Sequence, residues 1–141
     1  MSAGDAVAPR AVVERMLDGM ARGDVELMES CLGADVTWEV LGADYQPMGA
    51  RFEGRAAVMD DFFGATAVPA FDWERPFDFE VRGTIGEGPT LAAEVTIDAH
   101  TSRGRPYRNT YCFVFDVEDG AIRAVREYTN TEYAKRVLFS R

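Results

Sequence analysis

Histidine, lysine and cysteine are scarce in this chain: one His (His100), one Lys (Lys135) and two Cys (Cys31 and Cys112) among 141 residues. A lone histidine and no closely spaced cysteine pair leave little from which to build a zinc site, so no metal ligands are expected. The two cysteines are far apart in apolar surroundings and are expected to be buried free thiols. No stretch approaches the ~20 apolar residues of a membrane span. Met1 to Arg10 also lacks the basic-then-apolar order of a secretory signal, so a cytoplasmic location is expected. Arginines are scattered without a cluster, and the net charge of −9 with a pI near 4.6 repels phosphate backbones. No nucleic-acid or membrane partner is expected.

What is present is an ordinary globular balance, 47% hydrophobic and 28% charged, over a length that fits one domain spanning residues 1–141. Pro9 suits the first turn of a helix whose apolar face is Val12, Val13, Met16, Leu17 and Met20, ending at Gly23. Asp24 can cap a second helix carrying Val25, Met28, Cys31 and Leu32. The three methionines Met16, Met20 and Met28 are expected as helix core. A short strand follows at residues 36–41, then a loop-like stretch at 42–54 with Pro47. A third helix over about 55–63 buries Val58, Met59, Phe62 and Phe63. From Phe71 onward the pattern is β: an alternating Phe77, Phe79 and Val81, a glycine-rich turn at 83–89, and long strands at 91–101, 107–117 and 121–129. Residues 131–139 add a short helix or a packed tail. Gly83, Gly86 and Gly88 do not open a helix and read as a turn rather than a phosphate loop.

Helices first and a long meander afterwards predict an α+β fold: a cone-shaped, strongly curved mixed or antiparallel sheet packed on three helices, an α-β roll. Three helices cannot fill the concave side of such a sheet, so a small-molecule pocket is expected at its wide end.

The element order α-α-β-α-β-β-β-β resembles the nuclear transport factor 2-like superfamily, in its SnoaL-like and ketosteroid-isomerase-like branches. The stretch that carries this is Tyr107-Arg-Asn109-Thr-Tyr111, Phe113-Val-Phe115, Glu118-Asp-Gly120-Ala-Ile122 and Arg126-Glu127-Tyr128. The resemblance spans nearly the whole chain and implies a pocket for a small hydrophobic ligand and a homodimer formed through the outer sheet face. It does not choose a reaction, because relatives include isomerases, epoxide hydrolases, cyclases, dehydratases and binding domains.

Glu127 is the first candidate for a catalytic acid or base. Epoxide hydrolases of the limonene type carry an acid at the matching place in Arg-Asp/Glu-Tyr, and a carboxyl in an apolar cone has its pKa raised toward neutrality. The competing reading is a salt bridge with Arg126 or Arg123. A three-residue Glu118-Asp119-Gly120 turn would pair Val117 with Ala121 and Tyr111 with Glu127, placing Asn109, Tyr111 and Glu127 on one face. A two-residue Asp119-Gly120 turn would instead set Glu127 opposite Cys112. The first register is the one expected. Asp98 and His100 alternate on one face of their strand. Facing inward, they would meet Asn109 and Glu127 as an acid/base pair with a proton-shuttling imidazole. Facing outward, with Glu94 and Thr96, they form a polar outer surface. Asp98 roughly matches a second acid of the epoxide-hydrolase pattern, but Thr96 stands where that pattern has arginine. Asn109, disfavoured in strands, and Tyr111, Trp38 and Tyr45 are the expected ligand contacts, with plain packing the alternative for Trp38. Trp73 is expected at a subunit contact or the sheet edge.

Two functions from different classes follow. One is a cofactor-independent enzyme (isomerase, cyclase or dehydratase type) moving a proton beside the carbonyl of a polycyclic, steroid- or terpenoid-like ligand. The other is a non-catalytic binding or assembly domain, with epoxide hydrolysis a weaker third reading.

Overall fold

The computed structural model describes residues 7–42 and 51–140. Helix α1 (Pro9–Arg22) starts with proline in its first turn and ends where Gly23 adopts the left-handed conformation at φ 66°. Helix α2 (Val25–Cys31) is capped by Asp24, whose carboxylate accepts a hydrogen bond from the Leu27 amide at 3.1 Å. Strand β1 (Leu32–Val40) follows without a break, four residues earlier than the alternation of apolar residues predicts. Then come β2 (Arg51–Glu53), α3 (Ala57–Ala67), β3 (Asp78–Ile85), β4 (Thr90–His100), β5 (Pro106–Glu118) and β6 (Ala121–Thr129). A final short helix, α4 (Thr131–Ala134), continues in wider turns as Lys135–Phe139. Helix α3 is wound with the wide π pitch and runs through Gly64 rather than stopping there. The six strands lie in the order β2-β1-β6-β5-β4-β3, all antiparallel neighbours except the parallel pair β1 and β6. This is the expected α+β architecture, a curved mixed sheet with helices on one face. The C-terminal helix makes the helical layer four rather than three, and β2 is a strand inside the stretch read as loop.

The β5–β6 hairpin decides where Glu127 points, and it follows neither register considered from the sequence. Asp119 (φ 53°) and Gly120 (φ 76°) form a two-residue turn with both residues left-handed, so Glu118 pairs with Ala121 and Val117 with Ile122. One extra residue then enters β6: Asp116 pairs with Ala124, Phe113 with Glu127 and Tyr111 with Thr129. The bulge shifts the pairing by one and thereby reverses which face the rest of β6 presents. A plain two-residue turn would have sent Glu127 to the outer face beside Cys112. With the bulge, Glu127 shares the inner face with Phe113, Tyr111 and Asn109. The expected partners were wrong by two residues, but the expected face is the observed one.

The core runs continuously from Val12, Val13 and Met16 of α1 through Val58 and Phe62 of α3 to Trp38, Val95, Phe113, Phe115 and Val125 of the sheet. Among the described residues no helix is long and apolar enough to cross a membrane. Both cysteines are free thiols; Cys31 is buried as expected, whereas Cys112 on the outer sheet face is only half-buried.

The turn makes a direct prediction. Gly120 sits at a positive φ that alanine tolerates poorly, so Gly120→Ala should lower stability by about 1 kcal/mol. Urea denaturation checks this. An unchanged midpoint would mean the turn relaxes to another type.

Candidate functional site

The helices leave a pocket against the inner face of the sheet. Its floor is Trp38 of β1, Phe113 of β5 and Glu127 of β6, its roof Phe62 and Phe63 of α3 and Met28 of α2. Its rim holds Met20, Gly23, Trp73 and Phe77, and Leu138 and Phe139 close one side. The enclosed volume is about 80 Å³. The lining is almost wholly apolar, with rings packed on rings: Trp38 meets Phe63 edge-on at 5.1 Å and Phe62 at 5.3 Å, and Tyr111 stacks parallel on Phe113 at 5.5 Å.

Into this setting projects one carboxyl group. Glu127 is only 4% exposed. Its Oε1 accepts a hydrogen bond from the indole Nε1 of Trp38 at 3.0 Å, and no other described group hydrogen-bonds the carboxyl. The contact arises because β1 lies parallel to β6, with Trp38 beside Val125 and Val40 beside Glu127, so the indole reaches diagonally across one step of the ladder. Burial pushes the Glu127 pKa up from 4.5 to about 7, and the Trp38 hydrogen bond holds it back in the other direction. An acid poised near neutrality can both give and take a proton at ordinary pH. The salt-bridge alternative for this residue does not apply: Arg126 pairs with Asp116 at 2.9 Å and Arg123 with Glu118 at 3.3 Å, both away from the pocket.

Beside it on β5 runs a buried hydrogen-bonded row. The Tyr107 and Tyr111 hydroxyls are 2.6 Å apart, and Asn109 Nδ2 donates to Tyr107 Oη at 2.9 Å and to the Asn130 carbonyl at 3.2 Å. Tyr111 lines the pocket and Asn109 stands behind it as support. Tyr107, fully buried, stands in the family-like stretch of the sequence but carries no site role there. Its period-two spacing from Asn109 and Tyr111 was the available signal.

Asp98 and His100 occupy the outer face, the second of the two placements the sequence allowed. Asp98 is exposed and pairs with Arg108 at 3.0 Å, and His100 is half-buried at the end of β4. Neither can meet Glu127, because Ile97 and Ala99, which alternate with them along β4, are the residues buried on the inner face, and Ile97 lines the pocket. In place of an acid/base pair of two inward carboxylates, the described residues put one acid in the pocket. Tyr45 lies outside the described residues. Trp73, expected at the sheet edge or a subunit contact, lines the pocket rim instead, and Met20 and Met28, read as core, also face the pocket. Among the described residues no three His, Cys, Asp or Glu side chains converge as a metal site would require.

An open curved sheet with an acid-bearing pocket under its helices is the arrangement of the nuclear transport factor 2-like fold. The chain belongs to the SnoaL-like domain family, whose profile matches residues 13–125. Solved structures with this fold include a nuclear transport factor 2-like protein of unknown function from Burkholderia pseudomallei. That protein is 18% identical over 94% of this chain and 98% of its own, with a TM-score of 0.77. TerC, crystallised with polyporic acid, is 18% identical over 94% and 98%, with a TM-score of 0.79. A limonene-epoxide-hydrolase-like enzyme from Mycobacterium tuberculosis is 19% identical over 95% and 91%, with a TM-score of 0.70. No curated protein matches the chain.

Two predictions follow from the buried acid. The folded state holds the Glu127 proton more tightly than the unfolded chain. Its contribution to stability is therefore complete below about pH 4.5 and is lost as pH rises to about 7, after which it stays flat. Glu127→Gln cannot ionise, so its stability minus that of the wild type should grow across that window by about 3 kcal/mol. Thermal unfolding at pH 4.5, 6 and 8 measures the difference, and a constant gap would mean the acid is solvated. Trp38→Phe keeps most of the ring but removes the donor. Glu127 should then titrate higher still, and stability at pH 8 should fall by about 1.5–3 kcal/mol, the worth of a hydrogen bond to a charged group. An infrared titration of the carboxyl band reads the first effect and denaturation at pH 8 the second.

Proposed function

We propose that this chain binds a small, neutral, hydrophobic carbonyl compound in the pocket and catalyses cofactor-independent proton transfer on it, with Glu127 as the base and then the acid. The observation that carries this reading is one carboxyl group, about neutral in pKa, standing in an otherwise apolar chamber. Trp38 holds Oε1 in place, so the second carboxyl oxygen is the one to remove a proton from the carbon beside the carbonyl and return it elsewhere. The developing enolate needs a donor, and Tyr111 is the hydroxyl of the pocket wall suited to supply it, with Tyr107 and Asn109 behind it. Isomerases, cyclases and dehydratases all share this first step.

Two features disfavour epoxide hydrolysis. Thr96 replaces the arginine of that pattern, and Asp98 lies on the outer face, so that among the described residues Glu127 has no second acid beside it. The epoxide-hydrolase likeness of the fold is kept, but the machinery is not. A non-catalytic binding role uses the same pocket and predicts affinity without turnover.

The test is exchange of the α-protons of 4-phenylbutan-2-one, a neutral ketone with a slim methyl-ketone end, in deuterated buffer, followed by proton NMR. The protein should accelerate exchange along a rising pH profile centred near pH 7, and Glu127→Gln should slow it by about 10²–10⁴-fold. Equal exchange with the variant would sink the reading, while binding without exchange would favour the non-catalytic role.

The family likeness and the outer sheet face together also support a homodimer. Ala92, Cys112 and Val114 are only half-buried there and Tyr128 is 43% exposed, an apolar band a second copy would cover. Light scattering at micromolar concentration should give twice the 15.6 kDa chain mass. A monomer rejects it.

A further inference from the structure

The pocket is too small to swallow its ligand. An apolar cavity of ~150 Å³ holds one benzene ring, and the space here is about 80 Å³, roughly half of that. A ligand whose reacting carbon touches Glu127 can place only a narrow end inside, and its body must lie at the rim.

The rim is built for such a body. Trp73 belongs to the irregular segment between α3 and β3, and it is 40% exposed although it is one of the largest apolar side chains. Its ring is nevertheless fixed. The indole Nε1 donates to the Val68 carbonyl at 2.9 Å, and Phe77 packs against it at 4.3 Å and 31°. Phe71 stands edge-on to both, at 5.2 Å from Phe77 and 6.4 Å from Trp73. On the other side the ring passes over Gly23, where an added Cβ would come within 3.5 Å of it. An exposed tryptophan held by its own hydrogen bond and by neighbouring rings presents a pre-set flat surface, and a ligand stacking on it orders little that is not ordered already.

We infer that Trp73, backed by Phe71 and Phe77, is the specificity-determining platform of the site, selecting ligands with a slim carbonyl-bearing end and a flat aromatic body that stacks at the rim. No cation lies among the described lining residues, so nothing there would pair an anionic ligand. This rests on the reading of the pocket as a ligand site but not on Glu127 being catalytic.

The experiment compares two neutral ketones by calorimetric titration: 4-phenylbutan-2-one, a slim methyl-ketone end carrying a phenyl body, and butan-2-one, the end alone. Trp73→Ala should weaken 4-phenylbutan-2-one about ten-fold and butan-2-one less than two-fold, and Trp73→Phe should stay within about three-fold of the wild type for both. Trp73 is a half-exposed loop residue, so both variants should fold, which circular dichroism verifies. The platform is overturned if Trp73→Ala binds 4-phenylbutan-2-one as the wild type does, if both ketones weaken equally, or if the wild type binds neither. The exchange assay with 4-phenylbutan-2-one separates the two proposals. Exchange that needs Glu127 but ignores Trp73 removes the platform alone, while a Trp73-dependent affinity without exchange removes the chemistry alone.

Discussion

The structure is organised around the burial of one carboxyl group. Taking an ionised carboxylate out of water costs several kcal/mol, and a protein tolerates it only by pairing the charge, hydrogen-bonding it or letting it hold its proton. Among the described residues Glu127 has no cation beside it and one donor, the indole of Trp38, and burial raises its pKa to about 7. A group so placed is thermodynamically awkward and chemically useful. The surrounding rings, from Phe62 and Phe63 above to Phe113 below, both create the awkwardness and fix the geometry that exploits it.

Everything on the inner face depends on one inserted residue. Strand faces alternate with period two, so the side on which Glu127 lies is a matter of parity between the turn and the acid. The two-residue turn alone gives the wrong parity, and the bulge after Ile122 corrects it. Ile122, Val125 and Glu127 are the buried residues of β6, a spacing of three and then two that marks the bulge in the burial itself. The ion pairs of the outer face follow the same shift: Arg126 comes level with Val114 and reaches Asp116 rather than Glu127.

Much of this was legible before any coordinates. Helix starts and stops at Pro9, Gly23 and Asp24, and the three long strands, follow from local signals that tertiary packing did not override. The inward face of Glu127 was anticipated, though through a turn type that does not occur. The bulge leaves no mark in residue type, since Arg123 and Ala124 are unremarkable strand residues. Asp98 and His100 were ambiguous because a polar pair spaced by two fits a solvated face and a site equally well; Ile97 and Val95, burying their own side, decided it. Trp73 and Phe71 were harder, because residues in an irregular segment carry no periodicity from which a direction can be drawn. Trp38 is legible as an aromatic of the cavity, but its role as a donor to the acid depends on β1 and β6 lying side by side, a long-range fact invisible in either segment.

That parallel pairing has a consequence for how the chain is made. Trp38 and Glu127 are 89 residues apart, and β1, which has β2 on one side, finds its other neighbour only when the last strand exists. A ribosome that has released the first helices and β1 has produced a strand with one edge open and an indole without its carboxyl partner. Closing the sheet across so long a loop is the kind of contact that slows folding. The acid-bearing strand thus joins after every other strand, and Leu138 and Phe139, released later still, then close one side of the pocket.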